Sequence, residues 1–147
     1  MIDVQILNKS ENALPGYKTE GSAGFDLASN EDVFIAPGGA LLVSTGIHVA
    51  IPKGYEGQLR LRSSMWKKLA VMPNAPGTID SDYRGEVKIP LRNVHAHQSM
   101  HIYQGERIAQ LVISEVPSVK LQEVSESDFF EEITERGEKG FGSTGHN

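Results

Sequence analysis

The sequence predicts an all-β fold, a jelly-roll-like β-sandwich or barrel with one short helix and a C-terminal arm. Three observations support this: apolar residues alternate in short runs, glycine, proline or asparagine bounds each run, and seven prolines interrupt the chain. Alternation with a period of two gives each strand one face toward a core, and proline breaks helices. A length of 147 residues fits one such core.

The expected strands follow one another at short intervals. In chain order, the alternating runs are VQIL (4–7), VFIAP (33–37), ALLVSTGIHVAIP (40–52), GQLRLRS (57–63), EVKIPLRNV (86–94), HIYQGERIAQLVI (101–113) and VKLQEV (119–124). AGFDLASN (23–30) adds a strand on which Asp26 lies between two apolar residues. A charge there is costly unless it is paired. We therefore expect either a buried ion pair or a carboxylate that orients a hydrated divalent metal.

One short helix is expected at Ser63–Ala70. Ser63 can cap its first turn, and the apolar side chains of Met65, Trp66 and Leu69 supply a face for packing. The prolines leave little room for longer helices elsewhere.

The C-terminal residues differ from the rest of the chain. An acidic stretch leads into the glycine-rich run GFGSTG (140–145). Such a run cannot offset the entropy cost of its own ordering, so it is either disordered or closes over a ligand. We therefore divide the chain into a β core (1–134) and a flexible C-terminal lid (135–147).

Composition limits the partners and the compartment. A formal net charge of −5 argues against a nucleic-acid partner, although a small phosphorylated ligand needs only a local group of donors. The absence of cysteine excludes disulfides and thiolate metal sites. We expect neither a targeting segment nor a membrane span, because MIDVQILNKSEN lacks a basic start followed by an apolar run and no apolar run of about 20 residues occurs. We expect a cytoplasmic protein without a membrane partner.

The segment PGTIDSDYRGEVKIPLRN (76–93) is the first candidate for catalysis. Two strand-like runs flank a polar turn that contains Asp80, Asp82, Tyr83 and Arg84. An ordinary β-hairpin with a charged turn is one interpretation. The other is a hairpin that carries a catalytic carboxylate. In that case Asp80 is the candidate base, because Ile79 places it in the strand, while Asp82 is expected to pair with Arg84.

Two segments carry groups that can bind an anion: RLRSSMWKK (60–68) and the C-terminal tail. Arg62 can make a charge-assisted contact, and Ser63 and Ser64 stand at a helix start, where backbone N–H groups are unpaired. A capped helix with solvated basic residues is the alternative.

In the tail, Arg136 precedes glycines that let amides approach an anion, and Phe141 can stack on a base. A disordered terminus is the alternative, and the GK[ST] ending of a Walker loop is absent.

Two further polar features stand out. Gln110 lies among apolar residues. Its side-chain amide either hydrogen-bonds to neighbouring backbone, which the sequence alone favours, or reaches a ligand. Arg107 is expected to be a structural ion-pair partner. His95, His97 and His101 lie close together, with His95 and His97 on one strand face. A zinc site is conceivable there, but no carboxylate or cysteine completes a set, so we prefer a polar loop.

Five segments carry a resemblance to a known family. AGFDLAS, RSSM, GTIDSDYRGE, GERIAQLV and RGEKGFGSTG occur in this order between residues 23 and 145. Together they resemble the five motifs of the trimeric deoxyuridine triphosphatase (dUTPase) family. The resemblance implies hydrolysis of dUTP to dUMP and pyrophosphate with Mg²⁺ held by the phosphates. That reaction would limit uracil incorporation into DNA and supply dUMP for dTMP synthesis.

The resemblance also implies residue roles. Asp80 matches the carboxylate that activates water at the α-phosphorus, Tyr83 matches the ring that packs on deoxyribose, and Asp26 matches a residue that contacts the metal through water, with no direct protein ligand. Phosphate contacts match Arg62, Ser63, Ser64, Gln110, Arg136, Gly142, Ser143 and Thr144. Uracil contacts match Asn74, Gly77, Thr78 and Ile79, Phe141 matches the residue that covers the base, and Lys88 matches a further nucleotide contact. Each site of the homotrimer would take its hairpin, phosphate motif and tail from three subunits.

Departures and alternatives accompany the resemblance. Leu61 stands where many members have proline, Ser64 where many have glycine, and Glu138-Lys139 where the tail is usually smaller. A dCTP deaminase has a similar fold, but the TIDSDYRGE and GFGSTG segments count against it. A regulatory module with the same fold is the other alternative, and retention of the polar residues counts against loss of activity.

Overall fold

The structure, a computed structural model, describes residues 2–130, 134 and 137–140. The chain divides into two compact units, Met1–Pro117 and Ser118–Asn147. The first holds every described β-strand and the second holds one short α-helix. The division expected after residue 134 lies inside the second unit, and the lid remains a prediction.

The first unit contains eleven described strands. They are β1 (Gln5–Asn8), β2 (Phe25–Ala28), β3 (Val33–Ile35), β4 (Ala40–Val43), β5 (Ile47–Ala50), β6 (Tyr55–Leu61), β7 (Ala70–Val71), β8 (Gly77–Ile79), β9 (Ile89–Asn93), β10 (Met100–Ile102) and β11 (Arg107–Glu115). All described pairings are antiparallel, and they form sheets β2-β11-β6-β8, β4-β9-β7, β1-β5 and β3-β10. The all-β prediction is confirmed.

A single apolar core joins the four sheets. Alternate residues of the strands point inward, so that Phe25 and Leu27 of β2 and Leu59 of β6 are buried while their neighbours are not. Leu111 and Ile108 of β11 are fully buried in the same cluster. Burial of each such side chain stabilises the fold by about 1.5–3 kcal/mol.

The strand register explains why several polar residues share one surface. Gln110 of β11 lies opposite Asp26 of β2 on one side and opposite Arg60 of β6 on the other. Directly opposed residues project from the same face of a sheet, and Arg62 follows Arg60 by one period of two. The outer face of the four-stranded sheet therefore carries a carboxylate, an amide and two guanidinium groups.

Residues 80–88, which we call the connecting loop, do not join the two strands of a hairpin. The strand before the loop, β8, pairs with β6, and the strand after it, β9, pairs with β4 and β7. The expected β-hairpin is therefore wrong, since the loop crosses from one sheet to another. Its far end is fixed by a β-bridge between Glu86 and His48 and by the Val87 N–H, which donates to the Ile47 carbonyl over 2.8 Å.

The expected helix at 63–70 is a 3-10 helix, Ser63–Lys68. Its N-cap is Arg62, which makes no side-chain capping hydrogen bond, so the expected Ser63 cap is wrong. Only Met65 is buried, whereas Trp66 is 70% exposed, because a turn this short presents one side chain to the core. Leu69 ends the helix with φ of 50° and its N–H donates to the Trp66 carbonyl over 2.9 Å.

The second unit contains the α-helix Glu126–Phe129, called α1, which the sequence analysis did not predict. The Ser125 hydroxyl accepts a hydrogen bond from the Asp128 N–H at 3.2 Å and caps it. The strand expected at 119–124 is wrong, since the structure assigns no strand there and leaves residues 118–124 exposed without a pairing partner. Among the described residues, no helix has the length and apolarity needed to cross a bilayer.

Candidate active site

The first site is a pocket at the ends of β2 and β6, which we call the basic pocket. Its volume is about 240 Å³, and it is open to solvent. The residues that line it are Lys18, Ser22, Ala23, Gly24, Asp26, Arg62, Ser63 and Gln110. The structure thus brings together Asp26, Arg62, Ser63 and Gln110, four residues that the sequence predicted to share a site.

Asp26, at the wall of this pocket, contacts two guanidinium groups: that of Arg62, which lines the pocket, and that of Arg107, which does not. Arg62 Nε lies 3.0 Å from Asp26 Oδ1, and Arg107 Nη1 donates to Asp26 Oδ2 over 2.9 Å. The carboxylate is 14% exposed, so the pair is partly shielded from water. The ion-pair interpretation of Asp26 and the structural role expected for Arg107 both agree with these contacts. Because two cations face one anion, positive charge remains for a ligand.

Gln110 faces the pocket from the middle of β11. In the described part of the chain its side-chain amide has no hydrogen-bonding partner, although its backbone pairs with β2 and β6. The preference for a backbone-satisfying role is therefore not supported. A half-buried amide without a protein partner is available to a ligand or to water.

Gly24 allows this arrangement by approaching β11 closely. A Cβ atom at Gly24 would lie 2.8 Å from the Leu111 carbonyl oxygen, 2.9 Å from a Val112 methyl and 3.2 Å from Gln110 Oε1. The first of these contacts is with backbone, which cannot move without disturbing the β2–β11 pairing. Glycine is therefore required by space at this position.

The second site is a pocket over the connecting loop, which we call the loop pocket. It is an open depression of about 550 Å³. The residues that line it are Leu42, Thr78, Ile79, Asp80, Tyr83, Glu86 and Lys88. The Asp80 side chain is exposed and, among the described residues, has no hydrogen-bonding partner of its own. A carboxylate in that state can accept a proton from a bound water.

Glu86 anchors the connecting loop. Its carboxylate accepts hydrogen bonds from the Ser44 hydroxyl and from the N–H groups of Thr45, at 3.1 Å, and Gly46, at 2.9 Å. Burial raises the pKa of this carboxyl, but those hydrogen bonds and the Lys88 ammonium outweigh it, so the pKa of Glu86 lies below its ordinary value of 4.5. The ionised form of Glu86 therefore holds the loop to the turn at 44–46.

Tyr83 and Arg84 are held by bonds within the loop and to β5. Tyr83 Oη donates to the Glu86 carbonyl over 3.0 Å. Arg84 Nη1 donates to the carbonyls of Ser81 and Tyr83 at 2.7 and 2.8 Å, and the Arg84 carbonyl contacts His48 Nδ1 at 3.0 Å. The expected Asp82–Arg84 ion pair is therefore wrong, because backbone carbonyls take the guanidinium.

Three further predicted contacts, Ser64, Asn74 and Gly77, do not line either pocket. Ser64 is exposed at the 3-10 helix, and Asn74 is exposed near Gly77, which is buried against Leu59. The predicted tail contacts lie outside the described residues; they are Arg136, Phe141, Gly142, Ser143 and Thr144. Their roles stay predictions.

His95 and His97 lie in a polar loop, as expected, whereas His101 lies in β10. Residues 94–99 are not a strand, so the expected placement of His95 and His97 on one strand face is wrong. His95 Nδ1 instead accepts hydrogen bonds from the His97 and Gln98 N–H groups at 3.1 and 2.9 Å. Within the described ranges, no group of three or more histidine, cysteine or acidic side chains is arranged to hold a metal ion.

Six residues that line these pockets were not predicted as site residues from the sequence: Lys18, Ser22, Ala23, Gly24, Leu42 and Glu86. Lys18 belongs to a loop without periodicity, and Leu42 belongs to another sheet, so neither carried a local signal. Glu86 lies inside the GTIDSDYRGE segment, and a signal existed there: a carboxylate next to a glycine at a turn. Its partners at 44–46 are about forty positions away in sequence, which local patterns do not reveal.

The fold and the pockets together define a class: an all-β protein with a basic, hydroxyl-lined pocket and a separate pocket that carries an exposed carboxylate and a tyrosine. A model of the dUTPase family matches residues 10–145. The chain therefore belongs to the dUTPase family.

Individual relatives agree with this assignment. The deoxyuridine 5'-triphosphate nucleotidohydrolase of Ehrlichia canis is 45% identical over 99% of this chain and 95% of its own. The protein of the same name from Zymomonas mobilis is 50% identical over 89% and 87%. Among solved structures, a mutant dUTPase of Staphylococcus bacteriophage 80alpha with dUpNHpp superposes with a TM-score of 0.89 at 32% identity, covering 99% of this chain and 100% of that one.

Proposed function

We propose that this protein hydrolyses dUTP to dUMP and pyrophosphate. The observation that carries the proposal is the loop pocket, where Asp80, Tyr83 and Thr78 of the family's third segment gather in one depression. The names of the relatives support the substrate, as does the solved phage enzyme with the dUTP analogue dUpNHpp. Such an enzyme removes dUTP before uracil enters DNA and supplies dUMP for dTMP synthesis.

Asp80 is the proposed general base. Its exposed carboxylate can orient a water molecule and take its proton as the water attacks the α-phosphorus. The phosphorus–oxygen bond to the β-phosphate breaks, and pyrophosphate leaves. General-base groups of this kind contribute about 10²–10⁴-fold to rate.

The triphosphate is proposed to lie in the basic pocket. Arg62 can donate from a guanidinium fixed by Asp26, and Ser63 and Gln110 line the same pocket. Preorganised donors of this kind stabilise charge that develops in the transition state. Ser64 and the tail residues Arg136, Gly142, Ser143 and Thr144 are further proposed phosphate contacts.

The sugar is proposed to lie in the loop pocket, and the base is proposed to extend from its Thr78 and Ile79 wall toward Asn74 and Gly77, which do not line it. Asn74, Gly77, Thr78 and Ile79 would contact uracil, and Phe141 would cover it. Tyr83 would pack on the deoxyribose and leave no space for a 2′-hydroxyl, and Lys88 would add a nucleotide contact. Residues 135–147 are the proposed lid, whose closure would exclude water and position the phosphates.

The donor set fits a metal that arrives with the substrate. Both carboxylate oxygens of Asp26 already contact guanidinium groups, so Asp26 is better suited to a metal-bound water than to direct ligation. Mg²⁺ held by the three phosphates would neutralise part of their charge. The proposed role of this chain is to orient that hydrated ion through Asp26.

The two pockets share no lining residue. This supports the proposal that the active site is completed in a homotrimer, with the loop pocket of one subunit facing the basic pocket of a second and the tail of a third. A cytoplasmic location is proposed on the absence of cysteine, which suits a reducing compartment.

A substrate panel tests the function. Purified protein with Mg²⁺ should release pyrophosphate from dUTP and leave dTTP, dCTP and UTP largely intact. Release of ammonia from dCTP would instead identify a deaminase. No turnover of any of the four nucleotides would leave only the regulatory alternative.

A further inference from the structure

Gly85 lies so close to the ring of Tyr83 that a side chain at position 85 would collide with the ring. A Cβ atom at Gly85 would overlap Oη and Cζ of Tyr83 and lie 2.8 Å from its Cε2 atom. Real Cβ contacts do not fall below about 3 Å, because van der Waals repulsion rises steeply there. The ring occupies its position only because residue 85 has no side chain.

Backbone conformation does not explain the glycine. Gly85 is not among the described glycines with a positive φ, so an alanine could adopt its backbone without strain. The atoms in conflict belong to the far end of a side chain, which can rotate about χ1 into solvent. An alanine at position 85 would therefore move the ring and leave the backbone in place.

The hydroxyl end of the Tyr83 ring is also held by a hydrogen bond. Tyr83 Oη donates to the Glu86 carbonyl, and the Glu86 carboxylate is tied to the turn at 44–46. The tyrosine, the glycine and the glutamate thus lie within four residues of the loop, 83–86, and the Tyr83 ring lies at the wall of the loop pocket at 42% exposure. Its place is set before any ligand binds.

We propose that Gly85 is a positioning residue that sets the choice between deoxyribose and ribose by fixing the ring of Tyr83. This inference rests on the proposed function, in which Tyr83 packs on the sugar. If an alanine methyl group at position 85 displaces the Tyr83 ring, the pocket gains room for a 2′-hydroxyl. Gly85 itself touches no substrate and acts only through Tyr83.

The test compares Gly85→Ala, Tyr83→Ala and the double variant by kcat/KM for dUTP and UTP. Gly85→Ala should lower the ratio of the two values at least tenfold while the thermal midpoint stays within about 2 °C of the parent, since only an exposed ring moves. In the Tyr83→Ala background the same glycine change should alter the ratio less than twofold, because the residue through which it acts is gone.

Each result bears on one proposal. An unchanged dUTP/UTP ratio in Gly85→Ala, or an equal effect with and without the Tyr83 ring, overturns the positioning role. If Gly85→Ala fails to fold, the double variant should still fold, and an unfolded double variant also overturns it. Absence of dUTP hydrolysis by the parent protein would overturn the proposed function instead.

Discussion

At the scale of single residues, the two acidic side chains of the connecting loop invite a direct comparison. Asp80 lines the loop pocket, while Asp82 is exposed and does not line it. Asp80→Asn should lower kcat for dUTP at least a hundredfold, because the amide cannot accept a proton from water, and should leave dUTP binding within a few fold. Steady-state kinetics and calorimetric titration with dUTP measure the two effects.

Asp82→Asn is the matched control for that experiment. It removes the same charge two positions away, so a general electrostatic effect would appear in both variants. We expect a change in kcat of less than about threefold. Equal losses in the two variants would reject Asp80 as the base.

Glu86 gives the fold a specific acid sensitivity. Its folded pKa is depressed, so its stabilising contribution is present above the ordinary value of 4.5 and is lost as pH falls through the folded pKa. Glu86→Gln should lower the free energy of unfolding at pH 7 by about 1–2 kcal/mol, since hydrogen bonds to charged groups are worth more than neutral ones. The difference between variant and parent should shrink as pH falls below 4.5 toward the lowered folded pKa of Glu86.

Urea unfolding at pH 7 and at pH 3.5 measures this difference. Glu11→Gln is the control, because Glu11 is an exposed glutamate outside the loop. A gap between parent and Glu86→Gln that stays constant with pH would contradict the assigned role of the ionised carboxylate.

The sequence predicted which side chains share a site better than it predicted their hydrogen-bonding partners. Asp26, Arg62, Ser63 and Gln110 were singled out from local patterns, and the fold places them in one pocket. The supposed partner of Arg84 was wrong, since the backbone carbonyls of Ser81 and Tyr83, three positions and one position earlier in the sequence, bind its guanidinium instead. Hydrogen-bond partners depend on backbone geometry that a one-dimensional pattern does not contain.

At the scale of elements, the β2–β11 pair can be tested through its glycine. Gly24→Ala places a methyl group 2.8 Å from the Leu111 carbonyl oxygen, so the strands must separate. We expect a loss of about 2–3 kcal/mol in the free energy of unfolding, the usual cost of overpacking. Urea denaturation with a constant m-value measures it.

Gly21→Ala is the companion variant. Nothing lies within 4 Å of a Cβ at Gly21, so a change below about 0.5 kcal/mol is expected there. Similar losses in both alanine variants would show that the close approach at Gly24 does not control stability.

Element types were predicted more reliably than element connections. Alternation identified most strands, because a half-buried strand has a period that the sequence displays. It did not reveal that β8 and β9 join different sheets, since pairing is set by contacts far apart in sequence. The run at 119–124 alternates equally well but has no pairing partner in the structure, and pattern alone cannot distinguish the two cases.

At the scale of the whole molecule, the separation of the two pockets predicts that two inactive variants regain activity when they are assembled together. Asp80→Asn damages the loop pocket and Arg62→Met damages the basic pocket, so each variant alone should be nearly inactive. If sites form between subunits, co-assembled chains from an equal mixture should regain about a quarter of parental activity, the fraction of sites that combine two intact pockets. Activity is measured after joint refolding.

The negative result is equally informative. A refolded mixture that shows no more activity than the two variants assayed separately would mean that each chain carries a complete site. Mixing without refolding is the control, because it permits no exchange of subunits if the assembly is stable. The sequence could suggest this division only through its resemblance to a family; the fold adds that the two pockets have no residue in common.

The path of the connecting loop has a consequence for local opening of the protein. The loop leaves the four-stranded sheet at β8 and enters the three-stranded sheet at β9, with a third attachment at the 44–46 turn. A nucleotide bound to the loop would thus stabilise the connection between the four-stranded and the three-stranded sheet. In amide hydrogen exchange, its binding should slow exchange in β4 and β6, although neither strand supplies the carboxylate that we propose as the base.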